Sequence, residues 1–370
     1  MRAGSNPAGG TVFLYSSPRL RTMASRKQFK EHLLGQKTSR MVVFAAGLSV
    51  VLALAACGGT SKPTPSPTVS TPAPTATSIL SGRALADGPV LAIKMDNTGN
   101  SLPHIGLVPA DVVYVEQVEG GLSRLAAIYS TKLPDVIAPV RSARETDAEL
   151  LPMYGKIAFG FSGSVDAVHA LVKQAGLVDV SAEKYSGGYG RLSYRNAPYN
   201  EFARPARLIK RAKGSAQPVD VGFTFGSLPA GGKPASTVTA SFPSARVLFA
   251  YNKSTGLWAY SLGGKLDTSS QGQVAASTVL IQSVRLTTTG RKDVARNPVP
   301  KVRTVGSGKA IALRDGRSYA LTWTRPTPKS PTRWLYQGKD FPMKAGQIWV
   351  VLFDSQRTAK ITGAKTAAKS

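Results

Sequence analysis

The residues best suited to chemistry in this sequence are two carboxylates three positions apart, Glu116 and Glu119, followed by Arg124 in the run VEQVEGGLSR. Paired carboxylates could share acid–base work, and a guanidinium beside them could instead help hold an anion. Strand periodicity opposes the first idea. Residues three apart on a strand leave opposite faces unless Gly120 introduces a bulge. The flanking apolar runs, 110–119 and 122–130, read as strands joined at Gly120-Gly121. A two-residue loop there would set Gln117 across from Arg124 and make Glu119 and Arg124 diagonal neighbours on one face. The simplest expectation is a structural Glu119–Arg124 ion pair. A ligand-holding pair, or acid–base catalysis by Glu116 or Glu119, are the alternatives.

A second candidate is PVRSARE, where Arg141 and Arg144 flank Ser142. Ser142 followed three residues later by Glu145 is a capping-box signature and predicts a helix starting at Ser142. Free backbone N–H groups and the helix dipole favour an anion at such a start, and two guanidiniums would add bidentate recognition of carboxylate or phosphate. Glu145, Asp147 and Glu149 lie close enough to consume both arginines in local pairs. GFSGS (160–164) is not a nucleophile elbow, because its fifth residue is Ser164 rather than glycine. It reads as a turn between a strand (156–161) and a helix running from Ser164 to Gly176. In open α/β sheets the ligand crevice lies at that end of the strands. The expected anion-binding crevice therefore holds Arg141, Ser142, Arg144, Ser162 and Ser164. Asp96, Asn97, Glu116, Glu119 and Arg124 are supporting polar residues, with Asp96 and Asn97 read chiefly as turn formers. His104 and His169 are expected to be structural. Trp258, Trp323, Trp334 and Trp349 are expected to pack in a core, with a sugar-stacking face as the alternative.

These residues need elements to position them. Between about 84 and 212 strands alternate with helices: strands at 89–95, 110–119, 122–130, 135–140 and 156–161, the two helices above, and a last helix near 201–213 whose start Pro205 would delay. From about 213 onward short β-branched and aromatic runs are separated by turn signals, which predicts a mainly antiparallel sandwich or barrel-like domain. The expected fold is an α/β (or α+β) domain over 81–212, then a β-rich domain over 213–355, with residues 356–370 as a frayed tail.

The N-terminal region reads as an address. Basic residues from Arg26 to Arg40 precede the apolar run Met41–Ala53, which is too short to span a bilayer comfortably. Leu-Ala-Ala-Cys follows, ending at Cys57, the chain's one cysteine. Residues 1–56 thus read as a signal peptide, with Met23 as an alternative start. Cys57 is the expected lipidation site, anchoring the chain to the membrane. Residues 57–80, rich in Pro, Thr and Ser, read as an extended tether. A single cysteine excludes an intrachain disulfide and, with so few histidines, a Cys/His metal cluster; no metal or cofactor is expected. The formal charge of +27 is unevenly spread. Residues 57–212 hold 16 basic and 13 acidic residues, whereas 213–370 hold 23 basic and 6 acidic, a surplus of +17. For an exported chain the available polyanions are wall polymers and anionic lipid, and nucleic acid is not expected.

MDN, IGLVPADVVYVEQVEGGLSR, APVRSAR and FSGS, in this order and spacing, resemble the N-terminal domain of YerB-like bacterial lipoproteins, and the β-rich half ending in GQIWVVL resembles that family's C-terminal domain. The resemblance implies a two-domain, surface-anchored lipoprotein of unknown biochemical function, with no established catalytic residues to carry over. Two departures stand out: LPHIG where the family commonly has Pro-Gln, and APYN (197–200) where it commonly has Ala-Pro-His-Asn. Tyr199 replaces that histidine, so a mechanism needing its imidazole does not carry over.

The expectation is a lipid-anchored protein on the extracytoplasmic face of a Gram-positive membrane. Its role would be non-catalytic: binding anionic wall or membrane polymers through the basic half, and an anionic group or an envelope protein partner in the α/β crevice. The alternatives are a wall-modifying hydrolase or transferase using Glu116 or Glu119, and a solute-binding lipoprotein.

Overall fold

The computed structural model describes residues 76–293 and 295–363. The signal sequence, Cys57 and most of the tether lie outside these residues. Strands dominate, and helices are few and short. In chain order the first half supplies β1 (Leu91–Asn97), β2 (Val112–Gln117), β3 (Ser123–Tyr129), α1 (Glu145–Leu150), β4 (Ala158–Gly160), α2 (Asp166–Gln174), β5 (Val178–Asp179) and α3 (Pro205–Arg211).

A 13-stranded mixed sheet forms the body, in the order β5-β4-β1-β3-β2 and then Ile348–Asp354, Thr278–Lys292, Gly306–Arg314, Arg317–Arg325, Arg333–Tyr336 and Lys339–Asp340, with Pro298–Arg303 and Lys233–Pro234 pairing off this path. The join is parallel: Val112–Val115 of β2 run alongside Ile348–Val351. The large sheet thus takes strands from both sides of residue 212. Central strands buried on both faces need near-continuous apolar runs, and β1, β3 and Ile348–Asp354 are buried along almost their whole length. On one face, Ala92, Val112 and Ile128 pack with Leu150, Phe159 and Val168 beneath α1 and α2. On the other, Ile93, Val113 and Trp349 pack with Val238, Phe249 and Trp258 of a six-stranded antiparallel sheet built from later residues. The Tyr260 and Trp349 rings stack across this layer at 4.5 Å. The sandwich expected of the later half is therefore real, but its second sheet is shared with the first half. All four tryptophans are buried within strands, which supports core packing over a sugar-stacking face.

Several local expectations are corrected. The hairpin loop is longer by one residue: Glu116 faces Arg124 and Gln117 faces Ser123. Glu119–Gly121 form the turn, with both glycines at positive φ, because the Ser244 N–H donates to the Gly121 carbonyl and clamps the tip against Pro243. The first helix starts at Glu145 rather than Ser142. Arg141 N–H donates to the Lys94 carbonyl and Ala143 N–H to the Gly163 carbonyl, which keeps 141–143 extended. The second helix starts at Asp166, not Ser164, and ends before Gly176 at φ 76°. Pro205 delays the last helix as expected, opening α3 at its first position, where its missing N–H would be unpaired anyway. Leu80, expected in the tether, is fully buried. Lys360–Thr362, expected in the frayed tail, pairs with Thr237–Thr239.

Candidate functional site

Alternation along three neighbouring strands creates one charged patch inside the molecule. Lys94 and Asp96 are two apart on β1, and Asp96 lies across from Arg124 of β3, itself across from Glu116 of β2. Cross-strand partners share a face, so the face that is apolar at Ala92, Val112 and Ile128 becomes ionic at the hairpin end. α1 lies over it and adds Asp147.

Lys94 is fully buried and bridges two carboxylates. Its Nζ contacts Glu116 Oε1 and donates to Asp147 Oδ1 at 2.7 Å. Asp147 also accepts the Arg144 N–H through Oδ2 at 2.7 Å, so one carboxylate caps α1 and holds the lysine. Glu116 Oε2 has no hydrogen-bond partner among the described residues. Burial, opposed by the Lys94 charge and reinforced by Asp147, pushes the Glu116 carboxyl up to about 7.

The arginines expected to bind an anion are taken by carboxylates. Arg141 Nε lies 2.7 Å from Asp96 Oδ2. Arg144 grips Glu119 with its fork, Nε to Oε1 at 2.6 Å and Nη2 to Oε2 at 2.7 Å. Burial alone would raise the Glu119 carboxyl, but the hydrogen bond and charge of Arg144 outweigh it and hold it below its ordinary value. The expected Glu119–Arg124 pair is therefore replaced by Glu119–Arg144, a consequence of the shifted hairpin register. Arg124 donates to the Ser142 carbonyl at 2.7 Å and, among the described residues, has no carboxylate at ion-pair distance. Burial and the neighbouring Arg144 and Arg141 charges push it down to about 9.

Asp96 is a turn former as expected: Oδ1 accepts the Thr98 N–H and hydroxyl. Asn97 instead ties the two sheets, donating to Ser123 Oγ and accepting the Tyr260 hydroxyl at 2.6 Å. Ser142 and Ser162 hydroxyls meet at 3.3 Å, whereas Ser164 is half-buried and bonds only within its own turn. With six residues, α1 is too short to present the anion-binding N-terminus expected of it.

Sequence reasoning missed Lys94 and Asp147, although a lysine in an apolar run, two residues from Asp96, was the available signal. It also missed a linkage of Ser101, His104 and Asp267, whose partners are 163 positions apart. Ser101 Oγ is 3.2 Å from His104 Nε2, and His104 Nδ1 is 2.6 Å from Asp267 Oδ2. The connectivity is that of a hydrolase triad, but the chemistry is not. Nε2 faces the Asp96 carbonyl at 2.7 Å, an acceptor that can only receive a proton, and Ser101 donates to the Thr98 carbonyl. All three residues are fully buried. His104 is structural, as expected. His169 is held between Asp179 and Glu183.

Two family models match the chain: the N-terminal domain of the protein of unknown function DUF3048 over residues 75–218, and its C-terminal domain over 238–350. The "Putative lipoprotein YerB" of Bacillus subtilis (strain 168) is 23% identical over 289 residues, which cover 74% of this chain and 83% of that protein. The crystal structure of YerB from Bacillus subtilis matches with a TM-score of 0.66 at 19% identity, covering 78% of this chain and 99% of that one, and so supports the fold. No helix among the described residues is long and apolar enough to cross a membrane. By these matches the chain belongs to the two-domain, YerB-like DUF3048 family, whose function is unknown.

Proposed function

We propose that this protein is a lipoprotein anchored through Cys57 on the extracytoplasmic face of a Gram-positive membrane. There it acts without catalysis as a binder of anionic envelope polymer. The observation that supports the reading is the surplus on residues 213–370, with 23 basic against 6 acidic residues, of which Arg291, Lys301 and Arg303 have Glu145 or Glu149 within ion-pair distance. Three of the six acids there are engaged, Asp315 by Arg314 and Lys344, Asp340 by Arg333, and Asp267 by His104 of the first half. The remaining exposed cations present a field that draws in polyanions and weakens with salt. Catalysis by Glu116 or Glu119 is disfavoured, because Glu116 is covered and engaged by Lys94 while Glu119 is held by the Arg144 fork. The test is retention of the native protein on isolated envelope through a salt series. Release by about 0.5 M salt is expected from screening on the order of a few ångströms; retention unchanged at high salt would rule the reading out.

A second reading places an anionic group or a partner's carboxylate beside Arg124, a buried guanidinium with no acidic partner at ion-pair distance among the described residues. Arg124→Gln should then abolish binding of that partner in a pull-down from envelope extract while leaving salt-dependent envelope retention intact.

A further inference from the structure

The long strand Thr278–Lys292 changes partner midway. Residues 278–282 pair with Ala310–Arg314, and residues 285–292 pair with Pro298–Arg303. The parallel partner Ile348–Asp354 ends at the same level, where Val284 faces Asp354. The sheet therefore forks around residues 283–285 and opens a groove of about 730 Å³. Its walls carry Arg285, Arg303 and Lys309, together with the hydroxyls of Ser283, Thr287 and Ser307.

The charge placement is unfavourable for folding alone. Arg285 and Arg303 are direct cross-strand partners, and like charges so placed repel. Both are exposed, as is Lys309. Two carboxylates lie nearby. Glu149 Oε2 is 3.7 Å from Arg303 Nε, but its Oε1 accepts the Thr304 and Val305 N–H groups. Asp354 accepts the Gln356 N–H. Neither lines the groove, and neither pairs with Arg285 or Lys309 among the described residues. Trp323 is fixed in the wall by its indole N–H to the Ser283 carbonyl at 3.0 Å.

We propose that this fork is a binding groove for the phosphodiester groups of a linear polyanion, engaged by Arg285, Arg303 and Lys309. The inference rests on the envelope-binding reading and names the site and ligand chemistry behind it. Guanidinium forks match the paired oxygens of a phosphate. Thr287 already donates to the Lys301 carbonyl, but the Ser283 and Ser307 hydroxyls are placed to donate to the bridging ester oxygens that a phosphodiester has and a carboxylate lacks. An open groove with three cations along its walls suits a chain of repeating charges.

The test titrates the full chain carrying Cys57→Ser with soluble poly(glycerol phosphate), polyglutamate of matched charge, and phosphatidylglycerol vesicles, each at the same series of ionic strengths. Arg285→Ala/Arg303→Ala should weaken poly(glycerol phosphate) binding at least tenfold and flatten its salt dependence. Lys309→Ala should weaken it several-fold, an independent check should the double variant fold poorly. Lys253→Ala/Lys265→Ala, which removes two exposed cations elsewhere on the same half, should change it less than twofold. Equal losses from the two double variants would overturn the groove while leaving envelope binding intact. So would tighter binding to polyglutamate, or binding confined to vesicles. Wild-type protein that binds none of the probes and is not retained on envelope would overturn the broader reading instead.

Discussion

At the scale of single residues, the decisive group is Lys94. A buried lysine between two buried carboxylates is a desolvated ion triad, and removing one member leaves uncompensated charge. Lys94→Met should therefore cost about 3–5 kcal/mol in urea unfolding. Glu116 adds a pH signature. Its folded carboxyl titrates near 7, above its ordinary value, so the native state holds a proton that the unfolded chain releases earlier. The associated stability is fully present below about pH 4.5 and is lost as pH rises through about 7. Glu116→Gln removes this dependence. Relative to wild type, the variant should gain about 3 kcal/mol between pH 4.5 and pH 7.5. Unfolding free energies of the two proteins across that window check the point, and parallel curves would refute it.

At the scale of elements, the β2–β3 hairpin shows how much one loop residue decides. The sequence marks both strands and the glycine turn. It cannot distinguish a two-residue from a three-residue loop without knowing what the tip meets. Lengthening the loop by one exchanges every cross-strand pair, which is why Glu119 reaches Arg144 and not Arg124. The two glycines should respond differently. Gly120 has a φ of 64° and a Cβ there would make only an ordinary contact with Asn297 at 3.8 Å, so Gly120→Ala should cost about 1–2 kcal/mol for the left-handed backbone alone. At Gly121 a Cβ would also fall 2.4 Å from Pro243 Cβ, so Gly121→Ala should cost about 1–3 kcal/mol more. Denaturant midpoints of the pair measure the difference. α1 carries the same lesson: Ser142 has the residue type of a cap, but the Lys94 and Gly163 carbonyls hold its neighbours extended, and the cap falls two residues later at Arg144, whose N–H Asp147 accepts.

At the scale of the whole molecule, the two family segments are tied through one sheet. β2 lies beside Ile348–Asp354, and that strand also pairs with Thr278–Val284. Side chains from both segments fill both apolar layers. The described residues should therefore unfold in a single calorimetric transition, and two separated transitions would contradict this. Residues 81–212 expressed alone would leave β2 as a bare apolar edge, a template for aggregation. They should fail to give a monomer with native near-UV dichroism.

The amino-acid sequence by itself determined the strand-rich character of the later half, the separation of charge along the chain and the turn chemistry of Asp96, because each depends on local composition or short-range pattern. Most of the strands themselves were legible for the same reason. Only the tertiary structure decided that Lys94 joins Glu116 to Asp147, that both crevice arginines are taken by acids, that Asp267 holds His104, and that Arg285 faces Arg303 at a fork in the sheet. Those pairings join residues from tens to more than a hundred positions apart. Their register depends on how loops pack against distant strands, which no local pattern encodes.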